Sequence, residues 1–219
     1  NSEFFFGYHD KNPFNYKDSK IIVHSYENSN ELMKQSKKNV LINLIDLKNN
    51  NILNLDRTKA WSWQLGSNLQ WHPKKNIIYF NKKIGKNYVT KQVNLNSKNN
   101  KIFNFSIYNI SPNGNNFLIA DFLKIGKLRK GYGFENNKSF LPSYLKKSKL
   151  EIIKNKKVKK LLQLFDETKQ KLVTGCYINH QTFSPDGNKI AYFYTILKKN
   201  NQRQIFFYYY CLKKKKIIF

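Results

Sequence analysis

The sequence predicts an all-β chain built of repeated four-stranded antiparallel units, and three observations carry the prediction. Residues 179–195 read NHQTFSPDGNKIAYFYT: a polar strand entry, an S-P-D-G reversal, and a strand whose residues are nearly all β-branched or aromatic. Pro185 fixes φ at the first central turn position, while Asp186 and Gly187 supply the side-chain hydrogen bond and the permissive backbone of a tight turn. The punctuation recurs, because Pro13, Pro73, Pro112 and Pro185, four of the five prolines, stand in or beside such turns. Asp46 and Asn94, equivalent positions in two hairpins, lie 48 residues apart, matching the roughly 40–50 residues of a four-stranded repeat. Together these mark a β-propeller, in which each blade is a small twisted sheet. A sandwich of short strands shares the strand lengths and turn density and is the alternative.

Taken in order, two hairpin types alternate. The first type covers 11–24, 70–81 and 110–121 and the archetype around Phe183; the second covers 40–55, 89–105, 149–164 and 204–219. Each pair makes one blade, giving four blades at about 1–55, 56–105, 106–164 and 165–219, read as one domain and a partial copy of a larger propeller. The turns allow no helix beyond short pieces such as 165–170. At 219 residues and 40% hydrophobic content the chain can bury a core. Two cysteines, Cys176 and Cys211, make no disulfide framework and point to a reducing, cytoplasmic setting. No apolar run reaches the roughly 20 residues of a membrane span. The chain starts at Asn1 without methionine, so an upstream segment is left open.

Sorting the connections by face is informative. The turns inside the first hairpins are plain and fall on one predicted face; His72 lies in one of them and reads as a surface residue. The connections on the other face hold the unusual residues. Asp56 to Gly66 contains Arg57, Trp61, Trp63 and Gln64, of which one tryptophan is expected to pack between blades and the other to be exposed. The insertion from Leu123 to Ser148 contains Arg129, Gly131, Tyr132 and Gly133; FGYHD precedes the first inner strand with His9 and Asp10; GCYINH precedes the last with Asn179 and His180. Aromatic planes stack on sugar rings, and guanidinium pairs with carboxylate in two-point contact, so this set suits an acidic sugar. His24, at a strand end, reads as a packed core histidine.

The standard catalytic motifs are missing: there is no nucleophile elbow, Walker loop, H-E-x-x-H or paired-cysteine zinc motif. Three of the histidines could gather a divalent metal such as Mn, Fe or Zn. If the chain is a lyase, His180 is the base and Arg129, or a metal, neutralises the enolate.

A net charge of +27 suggests nucleic acid, since clustered lysine is the footprint of phosphate recognition. Codon bias explains it better: Lys, Asn, Ile, Phe and Tyr abound, and arginine occurs only at Arg57, Arg129 and Arg203. The lysine runs at 146–149, 154–160 and 213–216 fall in outer hairpins, so no specific nucleic-acid partner is expected.

The stretches FFGYHDKNPFN, WSWQLGSNLQWHP, ISPNG followed by KLRKGYGF, and INHQTFSPDGNKIAYFY, in that order, resemble TolB-like or WD40-like propeller proteins encoded among bacterial surface-polysaccharide genes. That group is in turn distantly similar to oligogalacturonate lyases, propellers that hold a divalent metal through histidines and a glutamine and cleave acidic sugars by β-elimination. The resemblance implies a carbohydrate-associated propeller with further blades; only His180 sits in a stretch comparable to those metal ligands. The expected partner is an acidic glycan or oligosaccharide, bound and, on one reading, cleaved. The alternative is a non-catalytic scaffold for a protein partner.

Overall fold

A computed structural model describes residues 2–27, 38–97, 99–134, 139–154, 157–166 and 171–218. They fall into two compact units, Asn1–Ile107 with Lys130–Glu135, and Tyr108–Arg129 with Asn136–Phe219. The first holds the sheet of β1 (Ser2–Phe5), β2 (Lys20–Glu27), β3 (Val40–Asp46) and β4 (Asn51–Thr58), then that of β5 (Gln70–Trp71), β6 (Ile77–Ile84), β7 (Asn87–Asn94) and β8 (Lys101–Phe103). To the second belong the sheet of β9 (Ile107–Ile110), β10 (Phe117–Ile119), β11 (Lys147–Lys154) and β12 (Lys157–Asp166), and that of β13 (Val173–Phe183), β14 (Lys189–Lys198), β15 (Arg203–Cys211) and β16 (Lys216–Ile218). Every sheet has four antiparallel strands in sequence order. The chain is all-β, with propeller-like blades, as the turn punctuation predicts.

The four first-hairpin turns close alike. Backbone N–H groups of Asn15, His72, Ser111 and Ser184 donate to the carbonyls of Lys20, Ile77, Asn116 and Lys189 at 2.8–3.0 Å. In each, the side chain of that first residue also accepts a turn N–H: Asn15 Oδ1 from Lys20, His72 Nδ1 from Lys74, Ser111 Oγ from Asn116, Ser184 Oγ from Lys189. The expectation that His72 is a surface residue is therefore corrected. It is 5% exposed, because its ring caps the turn, and burial lowers its pKa, helped by Lys75 and Lys74.

Two further departures follow from local chemistry. The first inner strand begins earlier than 11–24 predicts: β1 pairs Phe5 with His24 and Ser2 with Glu27, and Phe14 makes only an isolated bridge to Ile21. Pro13 has no N–H to give a ladder, so the chain leaves the sheet between them, its carbonyl accepting from Ile22 and from the Trp71 indole. Secondly, the 123–148 insertion carries two short helices, α1 (Phe122–Leu128) and α2 (Pro142–Leu145). Asp121 caps α1 by accepting from Lys124 N, and Pro142 opens α2 at the position where a missing N–H costs nothing. Close packing fixes α1 on β13, where a Cβ at Gly175 would come within 2.6 Å of Leu128 Cδ2. At the predicted helical piece, Phe165 and Asp166 end β12, and 167–170 lie outside the described residues.

The first unit's core packs Ile22, Ile42 and Leu44 of one sheet against Trp71, Ile78, Phe80 and Val93 of the other, each worth about 1.5–3 kcal/mol when fully buried. Asn81, fully buried, both accepts from Ile107 N and donates to Ile107 O, 2.8 and 2.9 Å. It satisfies backbone groups that would otherwise be stranded.

Candidate functional site

In the first unit, the Tyr8 ring lies 4.1 Å from that of His9 and meets Tyr132 edge-on at 6.2 Å. Gln64 N donates to Gly131 O at 3.0 Å, and Gly131 has φ +86, a conformation that favours glycine. His9, Gln64 and Tyr132 are thus brought together around Tyr8. Asp10 pairs with Lys11 at 2.6 Å, and its Oδ1 is buried without a hydrogen bond among the described residues. Burial holds the Lys11 amine below its usual pKa despite the attraction of Asp10.

Two predicted residues sit elsewhere. Trp61 is 2% exposed, packs with Tyr26 and Val40, and donates its indole N–H to Lys38 O. It is the packed tryptophan of the pair, while Trp63 is half-buried, 6.1 Å from Phe5. Arg57 lies exposed on β4 opposite Leu41, since that strand runs on to Thr58.

His24 is packed, as its place at a strand end predicts. Its ring stacks on Phe5 at 4.8 Å, and Nε2 accepts from Ser67 N at 3.0 Å with Ser67 Oγ at 2.8 Å. Both residues are 0% exposed, so this serine–histidine contact is structural, not a nucleophile and its base. Burial takes the imidazole pKa down to about 4, against an opposing pull from the Phe6 and Phe5 backbone.

In the second unit, β13 changes register between Asn179 and Thr182. A bulge of this kind re-aims side chains. His180 takes φ +51, unusual for a residue with a Cβ. Its N–H donates to the Tyr108 hydroxyl at 2.9 Å and its ring meets Phe193 edge-on at 5.7 Å. Asn179 is 2% exposed, its Oδ1 without a hydrogen bond. Arg129 is the C-cap of α1, its N–H donating to Ile125 O at 2.7 Å.

A cavity of about 330 Å³ opens in this unit among β10, α1, α2, β11 and β13. Neither His180 nor Arg129 lines it. Its charged lining is Lys124, Lys147, Lys149 and Lys160 with Asp121 and Glu151. Lys149 pairs with Glu151 at 2.7 Å. Lys124 is 5% exposed; its Nζ donates to the Lys147 carbonyl and sits 5.4 Å over the Tyr144 ring. Burial lowers its pKa. Tyr177 and Gln181, each 1% exposed, close the floor. Gln181 Nε2 donates to Ile119 O at 2.8 Å, whereas Gln181 Oε1 and Tyr177 OH make no hydrogen bond among the described residues.

Sequence reading missed this cavity. The available signal was Lys124 on the same face of α1 as Phe122 and Ile125, a lysine where the helical period calls for an apolar residue. Among the described residues no three His, Cys, Asp or Glu side chains are grouped to hold a metal. No helix in them is long and apolar enough to cross a membrane.

No family model matches the chain, and no curated protein matches it in sequence. Solved structures do. TolB from Acinetobacter baumannii is similar over 99% of this chain at 14% identity and a TM-score of 0.53, and a protein assigned as TolB from Agrobacterium tumefaciens over 99% at 11% and 0.50. The chain spans 53% and 61% of their lengths. An oligogalacturonate lyase in complex with manganese follows at 8% identity and a TM-score of 0.41, over 99% of this chain and 77% of its own. That last likeness is too loose to bear on activity. What the TolB structures share with this chain is the fold.

Proposed function

We propose that the chain is a carbohydrate-associated propeller protein that binds an acidic oligosaccharide of surface-polysaccharide metabolism. One observation carries the reading: the second unit's cavity combines four lysines, the Tyr144 ring and the polar ends of Tyr177 and Gln181. Its volume of about 330 Å³ suits a small ligand, and its inventory of cations, ring face and hydrogen-bonding groups is that of a site for a charged, hydroxylated molecule. Buried free thiols at Cys176 and Cys211 fit a reducing compartment, in keeping with a cytoplasmic role.

Binding without turnover is the form the geometry supports best. Cleavage by β-elimination needs a base beside the acidic carbon, and His180 and Arg129 do not line the cavity. The Tyr8, His9, Asp10, Gln64 and Tyr132 cluster of the first unit offers a second set of ligand contacts. Calorimetric titration with a panel of acidic and neutral oligosaccharides tests the reading, with the absorbance of unsaturated uronides followed in parallel. Heat with the acidic members and no new absorbance is the expected result. Absorbance growing with time would make it a lyase; no heat with any acidic glycan would remove the reading.

A protein-interaction role is the second reading, favoured by the outer face of the fourth sheet. There Phe193 and Phe207 pair across β14 and β15 with rings 5.5 Å apart, and Phe207 and Ile205 are 61% and 56% exposed. Exposed rings in contact mark interaction surfaces more often than isolated ones do.

A further inference from the structure

We infer that the cavity selects a monoanionic sugar acid, with Lys124 anchoring the carboxylate while Tyr177 and Gln181 read an adjoining hydroxyl. The inference rests on the acidic-saccharide reading just given and narrows it. It follows from three groups that the fold buries at one place and leaves incomplete.

Lys124 is the first. An ammonium at 5% exposure is ordinarily paired with a carboxylate. Among the described residues Lys124 forms no ion pair; its Nζ has one carbonyl and one ring face, and Asp121 Oδ1 is engaged by the Lys124 backbone N–H. An ammonium has three donors, so capacity remains for an anionic oxygen. The other lysines differ: Lys149 already pairs with Glu151, and Lys147, Lys149 and Lys160 are exposed at the rim, where water screens them. The cavity thus holds a single desolvated cation lacking a counterion, which matches one negative charge. A phosphate monoester brings nearly two.

Tyr177 OH and Gln181 Oε1 are the second and third. The amide oxygen can only accept, because Gln181 Nε2 is fixed by Ile119 O and sets which end faces the cavity. Its partner must therefore be a donor, which a bare inorganic anion does not supply. A phenol beside it can donate to the same ligand atom that donates to the amide, and a hydroxyl is the group that does both. A neutral sugar would satisfy these two and leave Lys124 without its anion; inorganic phosphate would do the reverse. A carboxylate with a neighbouring hydroxyl on one ring completes all three.

The test titrates the full chain with D-galacturonate, its methyl ester, glucose 6-phosphate and inorganic phosphate, then repeats galacturonate with Lys124→Met and Tyr177→Phe. Galacturonate is expected to bind best, weakening about 30-fold in Lys124→Met and about 5-fold in Tyr177→Phe, from the usual worth of charged and neutral hydrogen bonds. Thermal melts separate binding from folding: both variants remove an incompletely satisfied buried group, so both should melt no lower than the parent. Glucose 6-phosphate or the methyl ester binding as tightly as galacturonate would overturn the inference while leaving a saccharide site standing. So would galacturonate binding unchanged in both variants. If no sugar binds at all, the parent reading falls with it.

Discussion

Lowering the pH from 7 to 5 is expected to cost the folded chain about 2 kcal/mol through one side chain, His24. The imidazole is sealed between Phe5, Ser67 and Gly66, and burial takes its pKa from 6.5 to about 4. The unfolded chain therefore binds a proton near pH 6.5 that the folded chain refuses until about pH 4. Because the folded pKa is depressed for a base, its contribution to stability is complete above about pH 6.5 and is lost as pH falls from 6.5 toward 4. Evaluating the two titrations at pH 5 gives the figure of about 2 kcal/mol. His72 adds a smaller loss of the same sign. Asp46 and Asp56, whose lysine partners lower their pKa values, lose their contributions only further down, below the ordinary carboxylate range. The assay is urea unfolding at pH 7.5, 6.5, 5.5 and 5.0 for the parent and for His24→Gln, which keeps a neutral acceptor. The parent midpoint should fall steadily below pH 6.5 and the variant's should fall much less. A His24 proton resonance that titrates near 6.5 in the folded chain, or parallel pH profiles for the two proteins, would refute the reasoning.

Two other outcomes are expected. Gly66→Ala should destabilise by more than about 2 kcal/mol, because the residue has φ +56 and its new Cβ would lie 2.4 Å from His24 Cε1; a denaturation midpoint within error of the parent would count against this packing. Single-stranded RNA should bind weakly, with affinity falling steeply as salt rises, and Trp63→Ala should leave it unchanged; tight sequence-dependent binding lost in that variant would make nucleic acid the ligand.

What was legible in the sequence was local. The S-P-D-G reversal at 184–187 carries its own instructions, with Gly187 N donating to Ser184 O and Asp186 accepting from Ser184 Oγ and Asn188 N, so the turn and both flanking strands follow from a few residues. His72 was misread because a polar residue at a turn usually faces water; nothing in HPKKN says that its ring will bond the turn from inside. The helix at 122–128 was hidden for a related reason. Its sequence, FLKIGKL, contains a glycine and two lysines, and seven residues are too few to be stable alone, so its existence depends on the distant Gly175. Lys124 was the hardest to see. In a chain with 40 lysines and arginines, one buried lysine has no distinguishing mark until the fold removes it from solvent. The pairing of His9, Gln64 and Tyr132 was legible only as a shared face, since the contacts run through Tyr8 and Gly131, which belong to separate loops.

The like closure of the four first-hairpin turns bears on how such a chain can be copied and rearranged. The bond that shuts each turn joins two main-chain groups, whereas the side chain assisting it is Asn15, His72, Ser111 or Ser184. A cut made inside one of these turns and rejoined inside another would deliver a strand end already shaped for its new neighbour, whatever letters stand there. Duplication, loss or exchange of whole blades by recombination is then conformationally silent at the junction. Sequence likeness between repeats can erode to almost nothing while the seams stay interchangeable.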